Sequence, residues 1–213
     1  MRFLLIPVVV GVLILGVWVT GGLVTNDFTA AMLLSALWMG FAGLIAVGIA
    51  VRWPRLRLPV LAPYLVTALV IGAYLASETF IEDTVDENVA TAGEAPAARG
   101  KTRNEMLARG RFESVAHPTR GTATTIELAR GGRVLTLTGF ETDPGPDLRV
   151  YLVAGQARGE GDVDDFIDLG GLRGNQGDQQ YKLPADADLR RHTTVVIWCR
   201  AFSVSFGRAP LRS

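Results

Sequence analysis

Three long runs show no alternation of polar and apolar positions: Phe3 to Val24, Phe28 to Val51 and Leu58 to Ser77. Each is about twenty residues or more without Asp, Glu, Lys or Arg, enough for a helix to cross a hydrocarbon core of roughly 30 Å. The pattern predicts three transmembrane α-helices, 3–24, 28–51 and 58–77, in a membrane region 1–77. A cleaved signal peptide is the rival reading of the first run. That run exceeds the usual h-region length, however, and VTGGLVT offers no A-x-A-like cleavage site.

From Phe112 the pattern changes to period two, in short segments separated by turn residues, which is the mark of an all-β domain. TATTIEL and RVLTLTGF flank Gly131-Gly132, a dipeptide that accepts the positive φ values of a tight hairpin. LRVYLV follows the breaker run TDPGPD, where Pro144 presets φ and Gly145 suits the next turn position. Further strands are expected at FIDLG, QQYKL, TTVVIWC and FSVSF. Seven to eight short strands in about a hundred residues predict a β-sandwich or barrel-like domain over 110–213. In VVIWC, alternation puts Val195, Ile197 and Cys199 on one face, expected to be inward, and Val196 and Trp198 on the other. In FSVSF, Phe202, Val204 and Phe206 alternate with Ser203 and Ser205, as in a strand with one wet face.

Between these regions, residues 78–109 are acidic at first and then rich in Ala, Gly and Thr, the composition of a linker. The spacing of Phe80, Ile81, Val85 and Val89 also allows the third helix to continue for a few turns. The acidic cluster Glu78, Glu82, Asp83, Asp86 and Glu87 is expected to be solvated.

Charge refines this picture. Of the 21 Asp and Glu residues, only Asp27 precedes residue 78, whereas Arg52, Arg55 and Arg57 crowd the second connection and Arg2 precedes the first helix. The positive-inside rule then places Arg2 and the arginine loop in the cytoplasm. With an odd number of spans, the β domain is extracytoplasmic, and the expectation is a multi-pass plasma membrane protein with a cytoplasmic N-terminus.

Candidate chemistry is sparse. No His, Asp, Glu, Lys or Arg lies inside a span to mark an ion path, a proton relay or an axial haem ligand. The one cysteine of the chain, Cys199, cannot form an intramolecular disulfide, so any thiol redox cycle needs a partner. A free cysteine is also among the residue types most often buried as a small hydrophobe. Cys199, His117 and His192 make a possible His₂Cys metal set, but their spacing does not match a blue-copper site. GGLRGNQG (170–177) lacks the Lys-Ser/Thr ending of a P-loop and the G-x-G-x-x-G spacing, and reads as a shaped loop between strands. No cofactor motif is present, and beyond residue 77 there is no basic excess of the kind that nucleic acid requires.

Taken in order, FESVAHPTRGTATTIEL, GFETDPGPDLRVYLV, IDLGGLRGNQGDQQYKLP and VVIWCRAFSVSFGRAPL resemble the DM-thirteen domain, also labelled an electron-transfer domain, over about 110–211. The resemblance implies a small extracytoplasmic β module, often fused to membrane segments, whose signature cysteine has been proposed to act in redox chemistry. By position that cysteine is Cys199. Two functions follow: a membrane-anchored module in electron transfer or thiol exchange, with Cys199 reacting with a partner outside the membrane, or a non-catalytic cell-surface binding module with Cys199 inert in its core. Neither is a self-sufficient enzyme.

Overall fold

The computed structural model describes residues 4–25, 28–80, 82–93, 103–157 and 163–213. Arg2, Phe3, Asp27 and the linker residues 94–102 lie outside them. The chain divides into a helical unit, Met1–Thr79 together with Ala201–Ser203, and a β unit formed by Phe80–Arg200 and Val204–Ser213.

The helical unit contains α1 (Leu5–Gly22), α2 (Phe28–Arg52) and α3 (Arg57–Phe80), with a short 3-10 turn at Pro54–Leu56. Segments of 18, 24 and 21 residues in these helices are long and apolar enough to cross a membrane. Thr20, Ser35 and Tyr64 bond internally, as a chain without surrounding water requires, whereas the buried Trp38 Nε1 has no hydrogen-bond partner. Thr20 Oγ1 donates to the Gly16 carbonyl at 2.8 Å and lies 3.1 Å from Ser35 Oγ on α2. Tyr64 Oη on α3 donates to the Met39 carbonyl of α2 at 3.0 Å. Small residues permit these approaches: a Cβ on Gly16 would collide with the Trp38 indole, and one on Gly43 would sit 2.5 Å from Tyr64 Oη.

The β unit holds ten strands among the described residues. They are β1 (Thr84–Asp86), β2 (Glu105–Arg111), β3 (Glu113–Ser114), β4 (Thr119–Glu127), β5 (Arg133–Thr142), β6 (Leu148–Ala154), β7 (Phe166–Gly171), β8 (Gln176–Leu183), β9 (His192–Cys199) and β10 (Val204–Pro210). Two five-stranded sheets result, in the orders β1-β8-β5-β4-β2 and β3-β10-β9-β6-β7. The second sheet is antiparallel throughout, and the first is antiparallel except for β1, which runs parallel to β8. The sheets meet at one margin, where Arg109 of β2 and Arg212 exchange backbone hydrogen bonds of 2.8 and 2.9 Å. At that margin Gly207 lies so close to Thr119 that any Cβ would collide.

The core follows from register. Leu148, Val150 and Leu152 of β6 pair with Cys199, Ile197 and Val195 of β9. On the other side of β9, Val204, Gly207 and Ala209 complete the same rows. Opposite them, Ala123, Thr125, Leu135, Leu137, Gln179 and Tyr181 are buried in the first sheet. Paired residues share a face, so period-two patterning converts directly into a common apolar layer.

Gly131 and Gly132 take φ of 89° and 87° in the β4–β5 hairpin, as the dipeptide predicts. The ten strands outnumber the seven to eight expected from pattern, because β1 and β3 span only three and two residues, too short to leave a periodic signal. The helix does not continue through Val85: α3 ends at Phe80, and Thr84–Asp86 are extended against β8. The segment read as linker thus contains β1 and most of β2. FSVSF is also not one strand. Ser203 occupies the left-handed region at φ 52° and β10 starts at Val204. Ser205 is buried rather than wet.

Tyr181 illustrates how tightly this interior is filled. Burial pushes its phenol up to about 12, and its Oη donates to Gln179 Oε1 at 2.8 Å. An unfolded tyrosine ionises near pH 10, so the raised value contributes stability that is complete below about pH 10 and is lost as pH climbs toward about 12. The cost at full ionisation is about 2–3 kcal/mol. Alkaline unfolding monitored with phenolate absorbance is expected to leave Tyr181 protonated at pH 11 in the folded chain. Tyr181→Phe is expected to remove that share of the pH dependence.

Candidate functional site

Cys199 ends β9, where pairing with Leu148 on one side and Val204 on the other encloses it. It is 0% exposed, and its Sγ donates to the Pro146 carbonyl at 3.1 Å. The carbonyl belongs to the segment between β5 and β6, so the thiol ties a strand end to a loop. Trp198, one residue earlier, points to the opposite face and lies 6.2 Å from the Tyr151 ring, which stacks in turn on Phe166 at 4.2 Å. Trp198, Tyr151 and Phe166 therefore lie on the face of the sheet away from the thiol.

The segment Asp143–Asp147 gathers more than the cysteine. Asp143 Oδ2 is 2.9 Å from His117 Nδ1. The His117 ring, only 16% exposed, stacks on Phe206 with centroids 3.9 Å apart. Phe206 is the extra residue of a bulge in β10 between Ser205 and Gly207, an irregularity that re-aims a side chain out of strand alternation. Its ring reaches Gly145, where an added Cβ would lie 2.6 Å from Phe206 Cζ. Gly145 is thus required for closeness rather than for a left-handed turn. The left-handed residue is Asp147, at φ 54°, a conformation that Asp tolerates better than most residues.

Asp147 also settles the fate of the nearest cation. Arg200 Nε donates to Asp147 Oδ2 at 2.6 Å, and the Arg200 backbone N–H donates to the Asp147 carbonyl at 3.1 Å. Arg149 Nη1 lies 3.9 Å from Asp147 Oδ1 and its Nη2 donates to Asp168 at 2.7 Å. That hydrogen bond raises the Arg149 guanidinium above its already high ordinary value. Arg200 is drawn into an ion pair at the surface, its side chain 56% exposed, and does not supply charge to the buried thiol.

Of the three weak metal candidates, the structure brings two to the same segment and separates the third. Cys199 and His117 both contact Asp143–Asp147, through Pro146 and Asp143. His192 starts β9 while Cys199 ends it, a separation of about 23 Å at the usual strand rise. Its Nδ1 lies 3.1 Å from the Asp188 carbonyl and its Nε2 3.5 Å from Asp165. Among the described residues no group of three or more His, Cys, Asp or Glu is placed to hold a metal ion. The His₂Cys set is therefore not assembled.

Sequence patterning missed the gathering role of Asp143–Asp147. The run TDPGPD is conspicuous as a breaker, and its two prolines and two acids are the available signal. Its partners are 26 and 53 residues distant in the chain; the pairing of β4 with β5 brings His117 to it and that of β6 with β9 brings Cys199. The arrangement can hold a protonated thiol and fix the β9–β10 corner. It presents no accessible nucleophile.

Two substitutions test this construction. Cys199→Ala is expected to lower stability by about 1–3 kcal/mol, through the lost contacts and the loss of a donor to a buried carbonyl. Gly145→Ala is expected to cost about 1–3 kcal/mol by overpacking against Phe206. Combining it with Phe206→Leu should recover part of that loss, because the two changes share one contact. Denaturant unfolding of the four variants measures the coupling, and strict additivity contradicts it.

No curated protein and no solved structure matches the chain. One family model does: that described as Electron transfer DM13 matches residues 111–211. Every residue that Asp143–Asp147 gathers falls within that stretch, so the match to the electron transfer DM13 model coincides with the C-terminal β domain.

Proposed function

We propose that the chain is a membrane-anchored, extracytoplasmic binding module of an electron-transfer system, in which Cys199 packs the core rather than reacting as a thiol. The family description supports the electron-transfer association, and three helices long and apolar enough to cross a membrane support the anchor. For the orientation, the support is the cluster Arg52, Arg55 and Arg57 between the second and third helices, which favours a cytoplasmic loop. A third crossing then delivers the β domain to the other side.

The observation that carries the reading of Cys199 is its complete burial with Sγ held by the Pro146 carbonyl. Disulfide exchange requires a thiolate to reach a second sulfur, and thiolates form where a cation or helix N-terminus stabilises them. Here the thiol proton is directed to a carbonyl and the neighbouring guanidinium is committed to Asp147. Exchange through Cys199 would require Asp143–Asp147 to leave first. Partners are instead met by surface groups, and the electron carriers belong to those partners.

The experiment uses the full chain in intact cells and a membrane-impermeant maleimide. Cys199 is expected to remain unlabelled until the protein is denatured, and then to label fully. Stoichiometric labelling of the native chain overturns the packing role. In a Cys199→Ala background, Asp186→Cys, at an exposed position, is expected to label from outside and Arg55→Cys only after permeabilisation. The reverse pattern overturns the orientation.

A further inference from the structure

The glycine-rich stretch Gly170–Gly177, which sequence patterning leaves as a shaped loop, has a specific neighbour. Thr84, Val85 and Asp86 pair in parallel with Gln176, Gly177 and Asp178. A parallel strand of three residues has little intrinsic stability, yet this one is gripped on every side. The Asp83 N–H donates to Asn175 Oδ1 at 2.7 Å, and the Gln176 N–H donates to the Asp83 carbonyl at 3.2 Å. The Glu87 N–H donates to the Asp178 carbonyl at 2.9 Å, and the Ala90 N–H to Gln180 Oε1 at 2.8 Å. Two side-chain amides, Asn175 and Gln180, thus read the backbone of the incoming strand beyond both ends of the ladder.

Side-chain recognition is centred on one carboxylate. Glu87 Oε1 pairs with Arg173, and Glu87 Oε2 accepts the Gln180 backbone N–H at 2.9 Å. The glycines provide the bed. A Cβ on Gly177, at φ 100°, would collide with the Val85 carbonyl, and one on Gly174 would press on the Asp83 carbonyl and the Val85 side chain. The acceptor residues, Arg173 to Gln180, lie within the family match at 111–211, whereas the strand they hold, 83–90, lies outside it. The receiving edge is part of the domain, and its occupant is an addition.

We propose that the β8 edge from Arg173 to Gln180 is a strand-acceptor site for an extended acidic polypeptide, and that residues 83–90 are its built-in occupant. An incoming strand satisfies the edge through backbone hydrogen bonds and one carboxylate against Arg173, the mode by which extended peptides add to open sheet edges. A partner segment of this chemistry gains the site by displacing residues 83–90. Neutral or basic strands lack the carboxylate that Arg173 and the Gln180 N–H require.

The test uses the full chain in nanodiscs and hydrogen exchange read by mass spectrometry. In the unaltered chain the amides of Glu87 and Ala90 are expected to be protected. Arg173→Glu is expected to speed their exchange at least tenfold while β5 and β9 stay protected, and the charge-swapped pair Arg173→Glu with Glu87→Arg is expected to restore part of that protection, the Gln180 N–H still lacking its carboxylate. A fluorescent peptide of residues 82–91 is then added. Saturable binding is expected to the Glu87→Arg chain, whose own strand is released, and at least tenfold weaker binding to the unaltered chain. Unchanged exchange in Arg173→Glu, or equal peptide binding by both chains, overturns the proposal.

Discussion

The Pro146 carbonyl points into the β unit and accepts the Cys199 thiol at 3.1 Å. A buried carbonyl without a donor costs about 1–3 kcal/mol, so the chain must place a donor there, and a donor small enough to fit against Leu148 and Val204. Cysteine meets both needs as a compact apolar side chain with a weak S–H donor. Once that bond fixes Pro146, Gly145 is held against Phe206, Asp143 against His117, and Asp147 against Arg200. The β5–β6 segment, the β3–β4 turn and the β9–β10 corner are then one packed assembly.

That dependence bears on function. A residue enclosed by its own strand partners and committed to a carbonyl serves the persistence of the fold. The groups left facing water at this end, Arg200 and Asp147, are paired to each other at 2.6 Å, and such half-exposed pairs contribute well under 1 kcal/mol to stability. Their value lies in setting the charge pattern that a partner meets. The opposite edge of the first sheet follows another logic, in which glycines and side-chain amides keep a backbone edge open to a strand.

Much of the architecture was legible because its determinants are local. Uncharged runs of about twenty residues announce the helices, and Gly131-Gly132 between two alternating segments announces the β4–β5 hairpin. The inward face of β9 is also legible, since alternation places Val195, Ile197 and Cys199 together. What escaped the pattern depends on distant contacts. The strand at Thr84–Asp86 lies in an acidic stretch whose apolar spacing suits a helix, and its pairing is set by glycines some ninety residues later. The bulge at Phe206 breaks alternation where His117 must be met, so FSVSF reads as regular when it is not. The separation of His192 from Cys199 was implicit in their spacing along one strand, whereas the convergence of His117 and Cys199 on Asp143–Asp147 needed the sheet order.

The central claim is that Cys199 is a protonated, hydrogen-bonded and solvent-excluded thiol. Because the chain has one cysteine, the S–H stretching band in Raman spectra of the full-length protein reports on it alone. The account predicts a single hydrogen-bonded S–H band at neutral pH that persists after transfer to D₂O as long as the slowest-exchanging amides of β9. Loss of the band within the mixing time, or its absence before transfer because the sulfur is oxidised or disulfide-linked, contradicts it.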